Sequence, residues 1–177
     1  MKLILIRHTS VNVPQGTCYG QSDVDVNFTF PEEARKVKEK LKQYEFTHVF
    51  TSPLQRCVKL AQFCGYENPP QDPRLMEINF GEWEMKRFSD IKDPRLLDWY
   101  KDYINVAAPK GESVIDQQKR LIDFIDELKS KYTPESIIAL FTHGGIIINA
   151  LVKYLGKTFE EVYADIPPYG SITEIEI

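Results

Sequence analysis

Basic charge is what this 177-residue sequence is short of: 22 lysine and arginine residues stand against 26 aspartate and glutamate residues, for a net charge of −4. A surface of that balance has no general attraction for nucleic acid or anionic membrane, and neither is expected as a partner. Cysteine is scarce as well. Cys18, Cys57 and Cys64 are odd in number and lack metal-ligand spacing. That argues against a disulfide framework and reads as reduced thiols, with Cys57 and Cys64 packed on a helix. No apolar stretch approaches the length that spans a bilayer, and Leu3–Ile6 is far shorter than a signal-peptide core, so a cytoplasmic protein is expected. No glycine-rich Walker loop occurs, which leaves nucleotide triphosphate binding unsupported. Acidic residues form one close pair of interest, Asp23-Val24-Asp25, better suited to loop capping than to magnesium. No metal and no cofactor are therefore expected. Histidine is rare too, with three in the chain.

What is present is an alternation of strand and helix signals. The apolar fraction of 42% and charged fraction of 27% suit an ordinary globular protein, and the length suits a single domain over residues 1–177. Leu3–Ile6 is too short and too β-branched for a helix and reads as a strand buried on both faces. Pro31-Glu32-Glu33 opens a helix with Ala34, Val37 and Leu41 on its apolar stripe. A strand over His48–Thr51 is followed by Ser52-Pro53, read as N-cap and first helical position of a helix running to Gly65. The segment Phe88–Lys110 carries Trp99, Tyr100 and Tyr103 and reads as a short helical excursion covering the site, its aromatics mostly a satellite core. Gly111-Glu112-Ser113 starts the longest helix, with Val114, Leu121, Phe124, Ile125 and Leu128 in period up to about Lys131. A strand over Ile137–Phe141, an apolar helix over Ile146–Leu155 and a last strand within Gly170–Ile177 complete the chain. The expected fold is a three-layer α/β/α sandwich with a mostly parallel central sheet.

Ligands in such sheets bind outside the carboxyl ends of the strands. Those ends carry Arg7-His8-Thr9 and Thr142-His143-Gly144-Gly145, and Arg56 falls in the first turn after a third strand. A lone histidine or arginine at such a place is usually structural. Repetition changes the odds, since two of the three histidines occupy equivalent positions; His48, at the start of a strand, is left as structural. Two arginines and two imidazoles around one crevice suit a phosphoryl group, whose transfer depends on positioning and charge neutralisation. No cysteine sits in a basic cradle, so the nucleophile by elimination is an imidazole, His8. The leaving alkoxide needs a proton from a carboxylic acid, and a carboxyl beside a phosphate dianion keeps its proton more readily. Glu77, Glu82 and Glu84 are the candidates, and composition does not choose among them.

The ordered motifs resemble the histidine phosphatase superfamily, which includes the cofactor-dependent phosphoglycerate mutases. They are Arg7-His8-Thr9, Ser52-Pro53-Leu54-x-Arg56, Glu77-x-x-x-Gly81-x-Trp83-Glu84, Gly111-Glu112-Ser113 and Thr142-His143-Gly144-Gly145. The resemblance implies a phosphoglycerate mutase-like fold and a phosphohistidine at His8, with Glu77 as proton donor and then base. It implies that Arg7, Arg56 and His143 hold the phosphate, His143 counting among the catalytic residues. Trp83 and Glu84 would support the wall, and Glu112 and Ser113 would cap a helix or touch substrate. Threonine at position 9, the segment Cys18-Tyr19-Gly20-Gln21-Ser22-Asp23 and the short length resemble α-ribazole phosphatases of cobalamin nucleotide-loop assembly. On that likeness the substrate is a small phosphomonoester, with Gln21, Ser22 and Gly144 as substrate contacts. The alternatives are a broad phosphatase of sugar phosphates or phosphoglycerates, a mutase, and a phosphoprotein phosphatase or regulator. Mutases carry longer insertions over the site than this chain has room for. Three departures from the family pattern bear on the substrate: Met85 where many relatives have glycine, Pro14 near a common asparagine, and Val26-Asn27 for Leu-Thr.

Overall fold

The computed structural model describes residues 1–177. Four strands, β1 (Lys2–Arg7), β2 (His48–Thr51), β3 (Ile137–Thr142) and β4 (Ile172–Glu176), form one sheet in the order β2-β3-β1-β4. The first three run parallel and β4 pairs antiparallel at the edge. Helices cover both faces: α1 (Phe30–Leu41) and α2 (Gln55–Cys64) on one, α4 (Val114–Lys131), α5 (Gly144–Leu155) and α6 (Phe159–Ala164) on the other. Helix α3 (Arg95–Lys101) lies in the long connection between α2 and α4.

The uninterrupted apolar runs of β1 and β3 follow from this layering. Leu3, Leu5, Ile138 and Leu140 pack with Leu121, Phe124 and Ile147 of α4 and α5. Their neighbours Ile4, Ile6, Ala139 and Phe141 pack with Val37, Leu60 and Ala61 of α1 and α2. A strand with helices on both sides must be apolar at every position, not at alternate ones.

Register sets the site. Arg7 pairs with Thr142 and Thr51 with Phe141, so His8, Ser52 and His143 leave three adjacent strands nearly level with one another.

Several boundaries differ from the sequence reading. Helix α2 begins at Gln55, two residues beyond Pro53; the Ser52 hydroxyl accepts from the Leu54 N–H at 3.3 Å just ahead of the helix, and Asp23 Oδ1 caps the helix from a distant loop, accepting from the Gln55 N–H at 2.7 Å. The Asp23 region thus does cap, but a helix far along the chain. Helix α5 starts at Gly144, two residues earlier than its apolar pattern indicated, with His143 at the N-cap. Helix α6 was missed, although Thr158 and Glu161 form a capping box at its start. In the 88–110 segment, Trp99 packs with Phe80, Trp83 and Phe88 in a satellite cluster also holding Cys18, Ile91 and Leu96.

Candidate active site

A cavity of roughly 350 Å³ opens where β1 and β3 end, lined by Arg7, His8, Glu77, Gly144 and Gly145 together with seven apolar or aromatic side chains. Arg56 and His143 are fully buried against it, and the His8 and His143 rings meet edge to face at 5.1 Å. The four basic side chains and Glu77 named from the sequence are therefore brought together.

His8 is held in one tautomer. Its Nδ1 lies 2.7 Å from the Thr9 carbonyl oxygen, which can only accept, so Nδ1 carries the proton and Nε2 the free lone pair. Burial, then the charges of Arg56 and Arg7, hold its pKa well below the ordinary imidazole value, against a smaller opposite pull from the Thr9 carbonyl. His143 is lowered in the same way, by burial first and then by Arg56 and His8. Its Nε2 is 2.8 Å from the Ser52 hydroxyl. The Cys57 thiol also faces that ring at 3.5 Å while donating to the Thr142 carbonyl, and burial pushes it up, so it is an inert packing group.

Arg7 and Arg56 meet no carboxylate within 4 Å, although acids outnumber bases in the chain; both keep a buried Nε without a hydrogen-bond partner. Arg56 donates to the carbonyls of Gly20 at 2.6 Å and Ser22 at 3.0 Å, and Arg7 to that of Pro167. Tyr169 lies over Arg7 at 4.2 Å and Tyr19 near Arg56 at 5.5 Å, with their two hydroxyls 2.6 Å apart. An arginine pair without counter-ions, beside two neutral imidazoles and a helix N-terminus, has the chemistry to hold a multiply charged oxyanion.

The three candidate acids separate by surroundings. Glu77 faces the cavity: its Oε1 accepts from the Ile78 N–H at 2.9 Å and Gln117 Nε2 at 3.0 Å, and its Oε2 from the Gly145 N–H at 3.1 Å. Glu82 is paired with Lys110 at the surface. Glu84 accepts from the backbone N–H groups of Gly20, Gln21, Ser22 and Phe80 and from the Ser22 hydroxyl; these bonds outweigh burial and hold its pKa below the usual carboxylate value. It anchors a loop and cannot spare a proton near neutral pH.

Of the proposed substrate contacts, Gly144 lines the cavity, whereas Gln21 and Ser22 do not. Ser22 is bound to Glu84 and Arg56, and Gln21 donates to the Glu77 carbonyl at 3.1 Å. Ser113 caps α4, and Glu112 is forked to Arg120 at 2.8 and 3.1 Å. Trp83 is buried in the satellite cluster. Met85 has φ of 62°, in the left-handed region that glycine adopts without steric cost. Pro14 lies in an exposed stretch. No group of three or more histidine, cysteine or acidic side chains is placed to hold a metal, and no helix is long and apolar enough to cross a membrane.

Two residues at the site escaped the sequence reading. Gln117 and Asn149 are almost wholly buried beside Glu77. The signal was a polar residue interrupting an apolar helical face, Gln117 between Val114 and Leu121.

Residues 3–177 match the family model of the histidine phosphatase superfamily (branch 1). The chain is 26% identical to the adenosylcobalamin/alpha-ribazole phosphatase of Escherichia coli (strain K12), over 92% of this chain and 83% of that one. It is 30% identical to "Probable phosphoglycerate mutase GpmB" of Serratia proteamaculans (strain 568), over 86% and 74% respectively. The crystal structure of a phosphoglycerate mutase from Thermus thermophilus superposes with a TM-score of 0.79 at 28% identity, covering 99% of this chain and 93% of that one.

Proposed function

The chain belongs to the histidine phosphatase superfamily, and from that premise we propose a metal-independent phosphomonoesterase whose substrate is α-ribazole phosphate. Phosphatase chemistry comes with the family; the substrate and the residue roles are our reading. The phosphoryl group sits between Arg7, Arg56, His8 and His143. The neutral His8 Nε2 attacks phosphorus as the ester P–O bond breaks, and Glu77 gives its proton to the departing alkoxide. Water then attacks the phosphohistidine, Glu77 takes a proton from it, and orthophosphate and neutral His8 are regenerated.

One observation carries the substrate. Above its charged floor the cavity is walled by Ile78, Phe80, Phe88, Ile148, Tyr163 and Ile166, and Arg7 is the one arginine or lysine lining it. A leaving group bearing a flat aromatic base fits such a wall, whereas a phosphoglycerate or phosphoserine would bring a carboxylate with no second cation to meet it.

The test is phosphate release in EDTA from α-ribazole phosphate, p-nitrophenyl phosphate, 3-phosphoglycerate and phosphoserine. We expect α-ribazole phosphate to lead in kcat/KM by about 100-fold, ~2.7 kcal/mol of transition-state discrimination. Equal efficiencies would replace this substrate with a broad phosphatase, and isomerisation of 3-phosphoglycerate with added bisphosphate would make the chain a mutase.

A further inference from the structure

We propose that Gln117 and Asn149 form an amide relay that orients the Glu77 carboxyl and confines its transferable proton to Oε2. The inference rests on the reading of Glu77 as proton donor and goes beyond it.

The polarity of the relay follows from backbone carbonyls. Asn149 Nδ2 stands 3.1 Å from the Gly145 carbonyl oxygen, which accepts only, so that end of the amide must be nitrogen. The same nitrogen donates to Gln117 Oε1 at 3.0 Å. Gln117 is thereby obliged to turn Nε2 the other way, where it donates to Glu77 Oε1 at 3.0 Å and lies 3.4 Å from the Met76 carbonyl oxygen. No rotation of either amide preserves all of these bonds. Asn149 Oδ1 is buried without a partner, so satisfying its own amide does not explain this residue in an apolar helix.

The two carboxyl oxygens of Glu77 are then unequal. Each has two in-plane lone pairs. Those of Oε1 are both taken, by the Ile78 N–H at 2.9 Å and by Gln117. Oε2 accepts one bond, from the Gly145 N–H at 3.1 Å, and keeps a lone pair free. A proton on Oε1 would have to displace an N–H donor; on Oε2 it displaces nothing. Gly145 belongs to the same arrangement, because a β-carbon there would stand 2.2 Å from Glu77 Oε1 and 2.7 Å from Gln117 Oε1.

A leaving group that needs no proton distinguishes this role from a structural one. The experiment compares kcat/KM for p-nitrophenyl phosphate, whose phenolate leaves unassisted, with that for benzyl phosphate, whose alkoxide does not. This ratio reports only steps up to phosphoryl transfer, so later hydrolysis of the phosphoenzyme does not enter. In Gln117→Met we expect benzyl phosphate to lose about 10–30-fold, part of the ~10²–10⁴ that acid catalysis contributes, with p-nitrophenyl phosphate within about threefold of the parent. Asn149→Asp keeps the shape at a side chain that neither lines the cavity nor hydrogen-bonds to Glu77, and removes the donor that holds Gln117; a smaller selective loss of about 3–10-fold is expected. It carries the test if Gln117→Met does not fold. Equal losses on both esters, or none, overturn the relay. Glu77→Gln run in parallel separates the two levels: if it spares benzyl phosphate, the acid assignment falls and the relay with it. If it shows the selective loss and the relay variants do not, the relay alone falls.

Discussion

Two arginine pairs lie near one another in this molecule and have opposite fates. Arg74 is forked to Asp72 at 3.0 and 2.6 Å and also meets Glu127 at 2.7 Å, while Arg120 is forked to Glu112 and donates to the carbonyls of Arg74 and Glu77. Arg7 and Arg56 have neutral carbonyls, tyrosine rings and an idle Nε each. The first pair, balanced by carboxylates, ties the 72–77 segment to α4. The second, unbalanced, leaves a positive field whose partner must come from outside. Burial alone does not separate them, since Arg7 is half-buried like Arg74 and Arg120 and only Arg56 is fully buried; the presence or absence of a counter-ion does.

The sharpest test of the contrast lies at its centre. With His8→Ala the two arginines remain and the atom we propose as nucleophile is gone, so turnover of p-nitrophenyl phosphate should fall by at least about 10⁴-fold while an oxyanion still binds. Next, Arg7→Met and Arg56→Met should each lower kcat/KM by about 10²–10³-fold, as removal of a transition-state donor does. Arg74→Met, from the balanced pair, should leave kcat/KM within about threefold and lower unfolding free energy by about 2 kcal/mol in urea titration. Similar effects from both pairs would break the comparison.

The depressed imidazoles add a dependence on pH. His8 and His143 both sit well below 6.5 in the folded protein. The unfolded chain therefore gains protons below about pH 6.5 that the folded one refuses, so their contribution is complete above that pH and lost as pH falls. Denaturant titration at several pH values should therefore show the unfolding free energy falling as pH is lowered below about 6.5. The acid limb of kcat/KM should lie below 6.5 as well. The smallest effect belongs to Met85, whose side chain is half exposed and whose backbone is left-handed. Met85→Gly should raise stability by about 0.5–1 kcal/mol without altering turnover.

Residues adjacent along the chain were the legible ones. The β1 and β3 runs announce their double burial, and the residues that follow them announce the site. Arg56 was legible because it follows a strand by a few positions. What escaped depended on contacts between distant segments: Asp23 capping α2, Ser52 meeting His143, Asn149 steering Gln117. Choosing Glu77 over Glu84 from residues alone failed for the same reason. The loop whose N–H groups occupy Glu84 lies more than sixty residues earlier in the chain. Ser22 and Gln21 illustrate the converse, since a motif can mark the residues that brace a site as strongly as those that line it.

The unbalanced arginine pair couples folding to solution composition. Any tetrahedral oxyanion that fills the place between Arg7 and Arg56 binds the folded chain and not the unfolded one. Orthophosphate, the product, therefore competes with substrate and protects the fold by one and the same contact. At a concentration 100 times its dissociation constant it adds about 2.7 kcal/mol to the unfolding free energy. Inhibition and thermal protection by phosphate, sulfate or vanadate should rise together along one binding curve, so that a melting experiment without substrate ranks the ligands of the active site.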